Sequence, residues 1–270
     1  MAPSALDLDD PNVHFTLLFE VDTNPARLNG WFLYIGRDSG EIMRRIAWGI
    51  TGGGQHLADC LKAMSEVSRG AKVTTFISRA GEEVLRMYGL DGAIEAVSPG
   101  DYLEEIILER EQGYSYPKAG RFMLGKYQML IVAPATSNTV AKIASGIADS
   151  LVSNAAALAN KAGVPVYLLP TDLSGEAESR MPYFVDRALC GDCVDCPPRE
   201  ACPEGALGDQ IDLLLCKGCG TCADLCPKGA IGGGLMKVKA RAIDRENISR
   251  LRGFPGFHIL ERPIDILRIR

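Results

Sequence analysis

From residue 44 to residue 172 the chain alternates short, β-branched apolar runs with longer stretches in which apolar positions recur every three or four residues. "RRIAWGIT" reads as a strand, "GGG" at 52–54 as a loop and "QHLADCLKAMSEVS" as a helix. The pattern then predicts a strand "KVTTFIS", a helix "AGEEVLRMYG", a buried strand "YQMLIVAPA", one long helix "TVAKIASGIADSLVSNAAALANKAG" and a strand "VPVYLLPTD". Strands alternating with helices imply crossover units, hence an α/β fold of the doubly wound, Rossmann-like kind around a parallel sheet. Ligands are then expected beyond the carboxyl ends of the strands.

Outside this stretch the periodicity weakens. Residues 98–126, rich in Glu, Gly, Tyr and Pro, read as a loop or excursion near the site, and "SGEAESRMPYFVDR" at 174–187 as a bridge into a cysteine-rich segment. "HFTLLFEVDT" and "GWFLYIG", both before Met43, are candidate strands, either of an added edge or hairpin or of an extended start. Residues 237–270 carry nine Lys/Arg against four Asp/Glu and read as a solvated tail in which "FHILERPIDIL" supplies a strand that docks on the body. The expected divisions are 1–43, an extension; 44–180, the main α/β domain; 181–236, a small cysteine-rich domain; and 237–270, the tail.

Composition narrows the function. A formal charge of -5 argues against non-specific binding to nucleic acid, which calls for a basic surface. No apolar run approaches the roughly 18 residues of a membrane span. The opening "MAPSALDLDDPNVHF" is acidic where a secretory leader is basic and then apolar, so the expected location is the cytoplasm, with neither membrane nor nucleic acid as partner. Eight of the nine cysteines lie between Cys190 and Cys226, and in a reduced compartment such clustering favours metal ligation over disulfides.

Cys216, Cys219, Cys222 and Cys226, with Pro227 directly after, make the bacterial ferredoxin run, whose first three thiolates bind one [4Fe-4S] cluster while the fourth serves a second cluster. Cys190, Cys193 and Cys196 repeat the spacing, and Cys202 is again followed by a proline, Pro203, after a gap of five residues instead of three. Crosswise, Cys190, Cys193, Cys196 and Cys226 would hold one [4Fe-4S] cluster, and Cys216, Cys219, Cys222 and Cys202 the other. Structural zinc on two CxxC pairs is the competing reading, and two near-equal CxxCxxC…CP runs fit it poorly. Cys60, on the helix after the glycine loop, reads as a buried, inert thiol.

Three strand ends carry candidate ligand contacts: Gly52, Gly53 and Gly54 after the first strand, Ser78 after the second, and Thr136, Ser137, Asn138 and Thr139 where the long helix opens. Amides at a helix start can take a phosphate, although "TGGGQHL" lacks the GxGxxG of dinucleotide folds. Here residues 44–175, and "VAPATSNTVAKIASGIADSL" above all, resemble the flavoprotein family that includes phosphopantothenoylcysteine decarboxylase, the lantibiotic decarboxylases, the flavin prenyltransferases, archaeoflavoprotein and dihydromethanopterin reductase (acceptor).

The resemblance implies that these glycines and hydroxyl-bearing residues hold FMN, and that the chain forms a homo-oligomer, a trimer or larger. It also separates the branches. The cysteine-type decarboxylases use an active-site histidine and a PxMNxxMW clamp, but this chain has only His14, His56 and His258, and "VYLLPTD" stands where the clamp would begin. The arginine-rich segment of the prenyltransferases is replaced by "LANKAGVPVYLLP". His56 reads as a helix-surface or core residue, and Asp149 and Asp172 as caps or surface charges, so no catalytic acid is assigned.

A cluster-bearing segment beside a flavin selects for redox, because clusters pass single electrons and FMN collects two. The resemblance therefore implies reduction of a pterin, 7,8-dihydromethanopterin, with a ferredoxin-like electron donor. The alternative is an archaeoflavoprotein-like module that passes electrons between proteins.

Overall fold

The computed structural model describes residues 14–17, 33–36 and 43–269 except 174, 192, 194 and 214, with 177–180 and the two early strands described by backbone alone. Contacts divide the chain into Met1–Met43 and Arg44–Arg270. In the first unit β1 (His14–Leu17) and β2 (Leu33–Gly36) pair antiparallel, the hairpin alternative for this region, and the rest of both candidate strands lies outside the described residues.

The second unit begins with β3 (Arg44–Ile50), α1 (Leu57–Ser68), β4 (Ala71–Ile77), α2 (Arg79–Met87), α3 (Asp91–Val97) and β5 (Ile106–Leu108). It continues through β6 (Met129–Ala135), α4 (Ser137–Ala144), α5 (Leu151–Lys161) and β7 (Val166–Pro170). Next come β8 (Glu176–Val185), α6 (Pro197–Glu200), α7 (Thr221–Leu225), β9 (Ile231–Lys239), α8 (Ala242–Arg252) and β10 (Phe257–Ile259). The main sheet has six strands in the order β10-β7-β6-β3-β4-β5, and every pairing in it is parallel. Counted along the sheet, this is the Rossmann order 3-2-1-4-5-6, which reverses between β3 and β6.

Both faces are covered, as the apolar runs require. Successive β3 side chains alternate: Ala47 joins a core shared with Val140, Leu151 and Leu251, while Ile46, Trp48 and Ile50 join another shared with Leu57, Leu85 and Ile266. Helices α4, α5 and α8 thus cover one face, and α1, α2 and α3 the other.

Four expectations need correction. The excursion at 98–126 contains β5, an edge strand of the sheet, and it is pinned by Glu105, which accepts from Arg121 and from Lys118 at 3.0 Å. The single long helix is two. Gly146 lies at φ +71°, and Ile147 N donates back to Lys142 O at 2.8 Å, a glycine-closed helix end that no L-residue adopts cheaply. Ser150 then starts α5 with a reciprocal cap, accepting from Ser153 N at 3.3 Å while its own amide donates to Ser153 Oγ at 3.1 Å.

The bridge at 174–187, apart from residue 174, is mostly β8, which pairs antiparallel with β9 from Glu176–Lys239 to Val185–Ile231. Finally, residues 237–270 are built into the protein. They finish β9, form α8 against α4, and supply β10, which pairs with β7 as the sixth strand of the main sheet, the docking strand expected from "FHILERPIDIL". The cysteine segment is consequently an insertion between the fifth and sixth strands of that sheet, and the β8–β9 ribbon runs across the expected divisions at 180 and 236.

Candidate functional site

The strand order reverses between β3 and β6, the switch point at whose carboxyl ends a doubly wound sheet forms its ligand crevice. Thr51 clasps the two sides: its buried Oγ1 donates to Pro134 O at 2.7 Å and accepts from Thr136 N at 2.9 Å. Trp48 Nε1 adds a buried bond to Ala133 O at 2.9 Å. After Thr51 the chain turns through Gly52–Gly54. A Cβ at Gly53 would lie 2.7 Å from Thr171 Cγ2, and one at Gly52 would lie 2.7 Å from Ala80 Cβ, so glycine lets this turn nestle between β7 and the start of α2.

The other expected residues gather around the same edge. Ser78 N donates to Ile50 O at 3.0 Å, and Ser78 Oγ caps α2 by accepting from Gly81 N at 3.0 Å. Thr136 caps α4, accepting from Thr139 N at 3.4 Å, and its hydroxyl meets that of the buried Thr139 at 3.1 Å. Ser137 is half-buried and Asn138 exposed in the first turn of α4. The crevice thus offers close backbone and helix-start amides suited to an anion. Gly54 faces elsewhere, toward Tyr88. Thr51 and Thr171 were not legible as site residues, because each acts through tertiary approach. His56, held at φ +62°, has its pKa lowered by burial and contacts Gln55.

The cysteine insertion has internal two-fold likeness. Cys190 N donates to Asp186 O and Cys216 N to Asp212 O, both at 2.9 Å; Asp186 N reaches Ala230 O at 2.7 Å and Asp212 N reaches Ala206 O at 2.8 Å. The signal for it lies in "CPEGA" and "CPKGA", whose glycines, Gly205 and Gly229, have φ of +61° and +60°. The two additional residues of the first run fall beside α6, which begins with Pro197 and Pro198.

Cys190, Cys193, Cys196 and Cys226 line a cavity of about 390 Å³. Cys202, Cys216, Cys219 and Cys222 line another of about 160 Å³. Among the described residues no three His, Cys, Asp or Glu side chains converge as a site for one metal ion. Backbone amides donate to the sulfurs: Ala206 N to Cys202 Sγ and Ala230 N to Cys226 Sγ, both at 3.3 Å, and Gly218 N to Cys216 Sγ at 3.4 Å. Burial raises the Cys226 pKa, yet amides from Ala230, Lys228, Gly229 and Ile231 bring it below the usual thiol value. Cys60, by contrast, is buried in the core and pushed far up by desolvation, as an inert thiol should be.

A doubly wound sheet with a glycine turn at its switch point, carrying an inserted segment of paired cysteine foursomes, defines a class of redox α/β protein. The chain belongs to the flavoprotein family, whose family model, Flavoprotein, matches residues 38–174. A 4Fe-4S binding domain matches residues 209–232. Over 235 residues the chain is 51% identical to dihydromethanopterin reductase (acceptor) from Methanosarcina mazei, covering 84% of this chain and 98% of the relative. It is 44% identical to dihydromethanopterin reductase (acceptor) from Methanocaldococcus jannaschii, over 84% of this chain and 95% of the relative. It is thus a homologue of that oxidoreductase. In fold it is similar to Burkholderia xenovorans DmrB, solved in complex with FMN and described as a cubic protein cage for redox transfer, with a TM-score of 0.53, 23% identity, and coverage of 85% of this chain and 93% of that one. Among the described residues no helix is long and apolar enough to cross a membrane.

Proposed function

We propose that this chain binds FMN at the β3–β6 crevice and two [4Fe-4S] clusters in the cysteine insertion, and reduces 7,8-dihydromethanopterin to tetrahydromethanopterin with electrons from a reduced ferredoxin-like carrier. The observation that carries the reading is the arrangement of the cysteines: each run of three lines one cavity together with the fourth cysteine of the other run, the pattern of a two-cluster ferredoxin. When bound, the clusters pass single electrons and the flavin gathers two for delivery as hydride.

The chain's own groups fit those cofactors. Gly52 and Gly53 bring backbone close to the crevice, and the first-turn amides of α4, at Ser137 and Asn138, are placed to take a phosphate at a helix start. Ser78 and Thr136 spend their hydroxyls on caps, so their contribution to FMN is to fix the loops that present these amides. In the insertion, the amides of Ala206, Gly218 and Ala230 stabilise thiolate sulfurs and so tune the potential of whatever those sulfurs bind. Eight thiols without disulfides suit the reducing cytoplasm, where we place the protein. In keeping with the cage described for DmrB, the proposal includes a homo-oligomer.

Metal and flavin analysis of anaerobically purified protein should give about eight irons per chain and one FMN. Mixing the fully reduced protein with 7,8-dihydromethanopterin in an anaerobic stopped-flow instrument should restore the oxidised flavin band as tetrahydromethanopterin forms. Stoichiometric zinc with little iron would sink the electron feed. A flavin that stays reduced with the pterin but reoxidises on adding an acceptor protein would replace the reductase with an electron-transfer module.

A further inference from the structure

Tyr88 lies between the two halves of the site. It ends α2, with its amide donating to Val84 O at 3.1 Å, and its half-buried ring packs against the apolar core of that face. One edge of the ring faces the glycine turn: a Cβ on Gly54 would lie 2.9 Å from the Tyr88 hydroxyl and 3.0 Å from Cε2. The opposite edge faces the cysteine insertion, where a Cβ on Gly218 would lie 3.3 Å from Cδ1 and 3.4 Å from Cε1. The next residue continues the contact, since a Cβ on Gly89 would lie 3.1 Å from Lys217 Cδ. Lys217 in turn pairs with Glu204 at 3.2 Å, and Gly218 N donates to Cys216 Sγ.

The Tyr88 ring therefore packs between the glycine turn and the loop that carries Cys216, with Gly89 against Lys217 beside it. Glycine on both sides brings the ring against bare backbone, and a side chain at Gly54 or Gly218 would force the ring to shift. Through Cys216, the cavity of Cys202, Cys216, Cys219 and Cys222 is joined to the glycine turn in this way. In the other cavity two cysteines, Cys190 and Cys193, are exposed, against one, Cys219, in this one.

We infer that Tyr88 is a positioning residue that docks the Cys202/Cys216/Cys219/Cys222 site onto the glycine turn, making that foursome the inner electron station and the Cys190/Cys193/Cys196/Cys226 foursome the outer one. The inference rests on the proposed reading of the crevice and the cysteines as cofactor sites. With clusters held by the two foursomes and FMN in the crevice, the outer foursome would take single electrons from the carrier, which would be oxidised, and the inner would hand them to the flavin, two electrons and one proton making one hydride equivalent.

The test compares wild-type holoprotein with Tyr88→Ala and Tyr88→Phe. Hydrogen exchange is followed at the peptides spanning 52–55 and 216–220, and the rate of flavin reduction by a reduced ferredoxin is measured in parallel. Tyr88→Ala should keep its iron and flavin, lose protection in both peptides together, and accept electrons about tenfold to a hundredfold more slowly, the order of loss that a misplacement of about 1 Å can bring. Tyr88→Phe keeps both ring edges and should restore protection and rate. Unchanged protection and rate in Tyr88→Ala would overturn the inference, as would Tyr88→Phe behaving like Tyr88→Ala. Wild-type protein without iron or flavin would instead overturn the cofactor reading, leaving the exchange result to judge the docking contact by itself.

Discussion

Gly53→Ala tests whether the glycine turn is set by close approach to β7. The new methyl group would lie 2.7 Å from Thr171 Cγ2, while its other neighbours, Thr136 Cγ2 at 3.5 Å and Pro134 Cβ at 3.6 Å, are at ordinary contact. One clash against a β-branched side chain in a packed site costs about 1–3 kcal/mol. That corresponds to a fall in Tm of about 2–10 °C for a chain of this size. Relief requires the turn to shift toward the crevice, so FMN affinity should drop as well, by about tenfold for each 1.4 kcal/mol transferred to binding. Differential scanning fluorimetry and flavin fluorescence titration read the two effects. Thr171→Ser removes Cγ2 while keeping the hydroxyl that donates to Asp172 Oδ2 at 2.7 Å, so Gly53→Ala/Thr171→Ser should recover most of both losses. A Gly53→Ala protein with wild-type Tm and FMN affinity, or a double variant with no recovery, would refute this account of the turn.

Three further outcomes are expected. The hydrogen bond from Arg121, aided by Lys118, lowers the Glu105 pKa from 4.5 to about 2, so its stabilisation is complete above pH 4.5 and is lost as pH falls toward 2. Chemical denaturation should show Glu105→Gln about 1–2 kcal/mol less stable at pH 7 and with a shallower acid loss than wild type; equal slopes would contradict the assignment. Cys226→Ala should deplete the cluster served by Cys190, Cys193 and Cys196, and Cys202→Ala the one served by Cys216, Cys219 and Cys222; Mössbauer and EPR spectra showing the reverse pairing would overturn the crosswise reading. Cys60 should resist iodoacetamide in native protein at pH 8, because its buried thiol stays protonated, and rapid labelling there would contradict its placement in the core.

The sequence made the central strands legible because "RRIAWGI", "KVTTFI" and "MLIVAPA" are buried on both faces and read as unbroken apolar runs. Where elements were missed, the residues have little apolar pattern of their own. The run "IIL" of β5 is too short to carry a period, and "EAESRMPYFV" of β8 belongs to a two-stranded ribbon outside the main sheet, whose small core takes Val185 and part of Tyr183 at its far end. The break between α4 and α5 was written in Gly146 and Ser150, but the apolar spacing on either side continues the helical period and masked it. The two cysteine runs were legible because their spacing is a motif in itself, and the glycine turn because three glycines follow a strand. Thr51, Thr171 and Tyr88 were not, since each matters through a neighbour distant in sequence that only the fold brings near.

The placement of β10 after the cysteine insertion bears on how electrons can be delivered. A module hung from one end of a chain can sweep through space and meet its target by diffusion, as a swinging arm does. This segment instead leaves the sheet after β7 and returns through α8 to β10, with Glu176 and Lys239 paired at the foot of its ribbon. Tethered at both ends, it cannot sweep. Under the proposed function, the distance between the cysteine foursomes and the crevice would therefore be set once, when the sheet closes, leaving the arrival of the carrier as the step that varies.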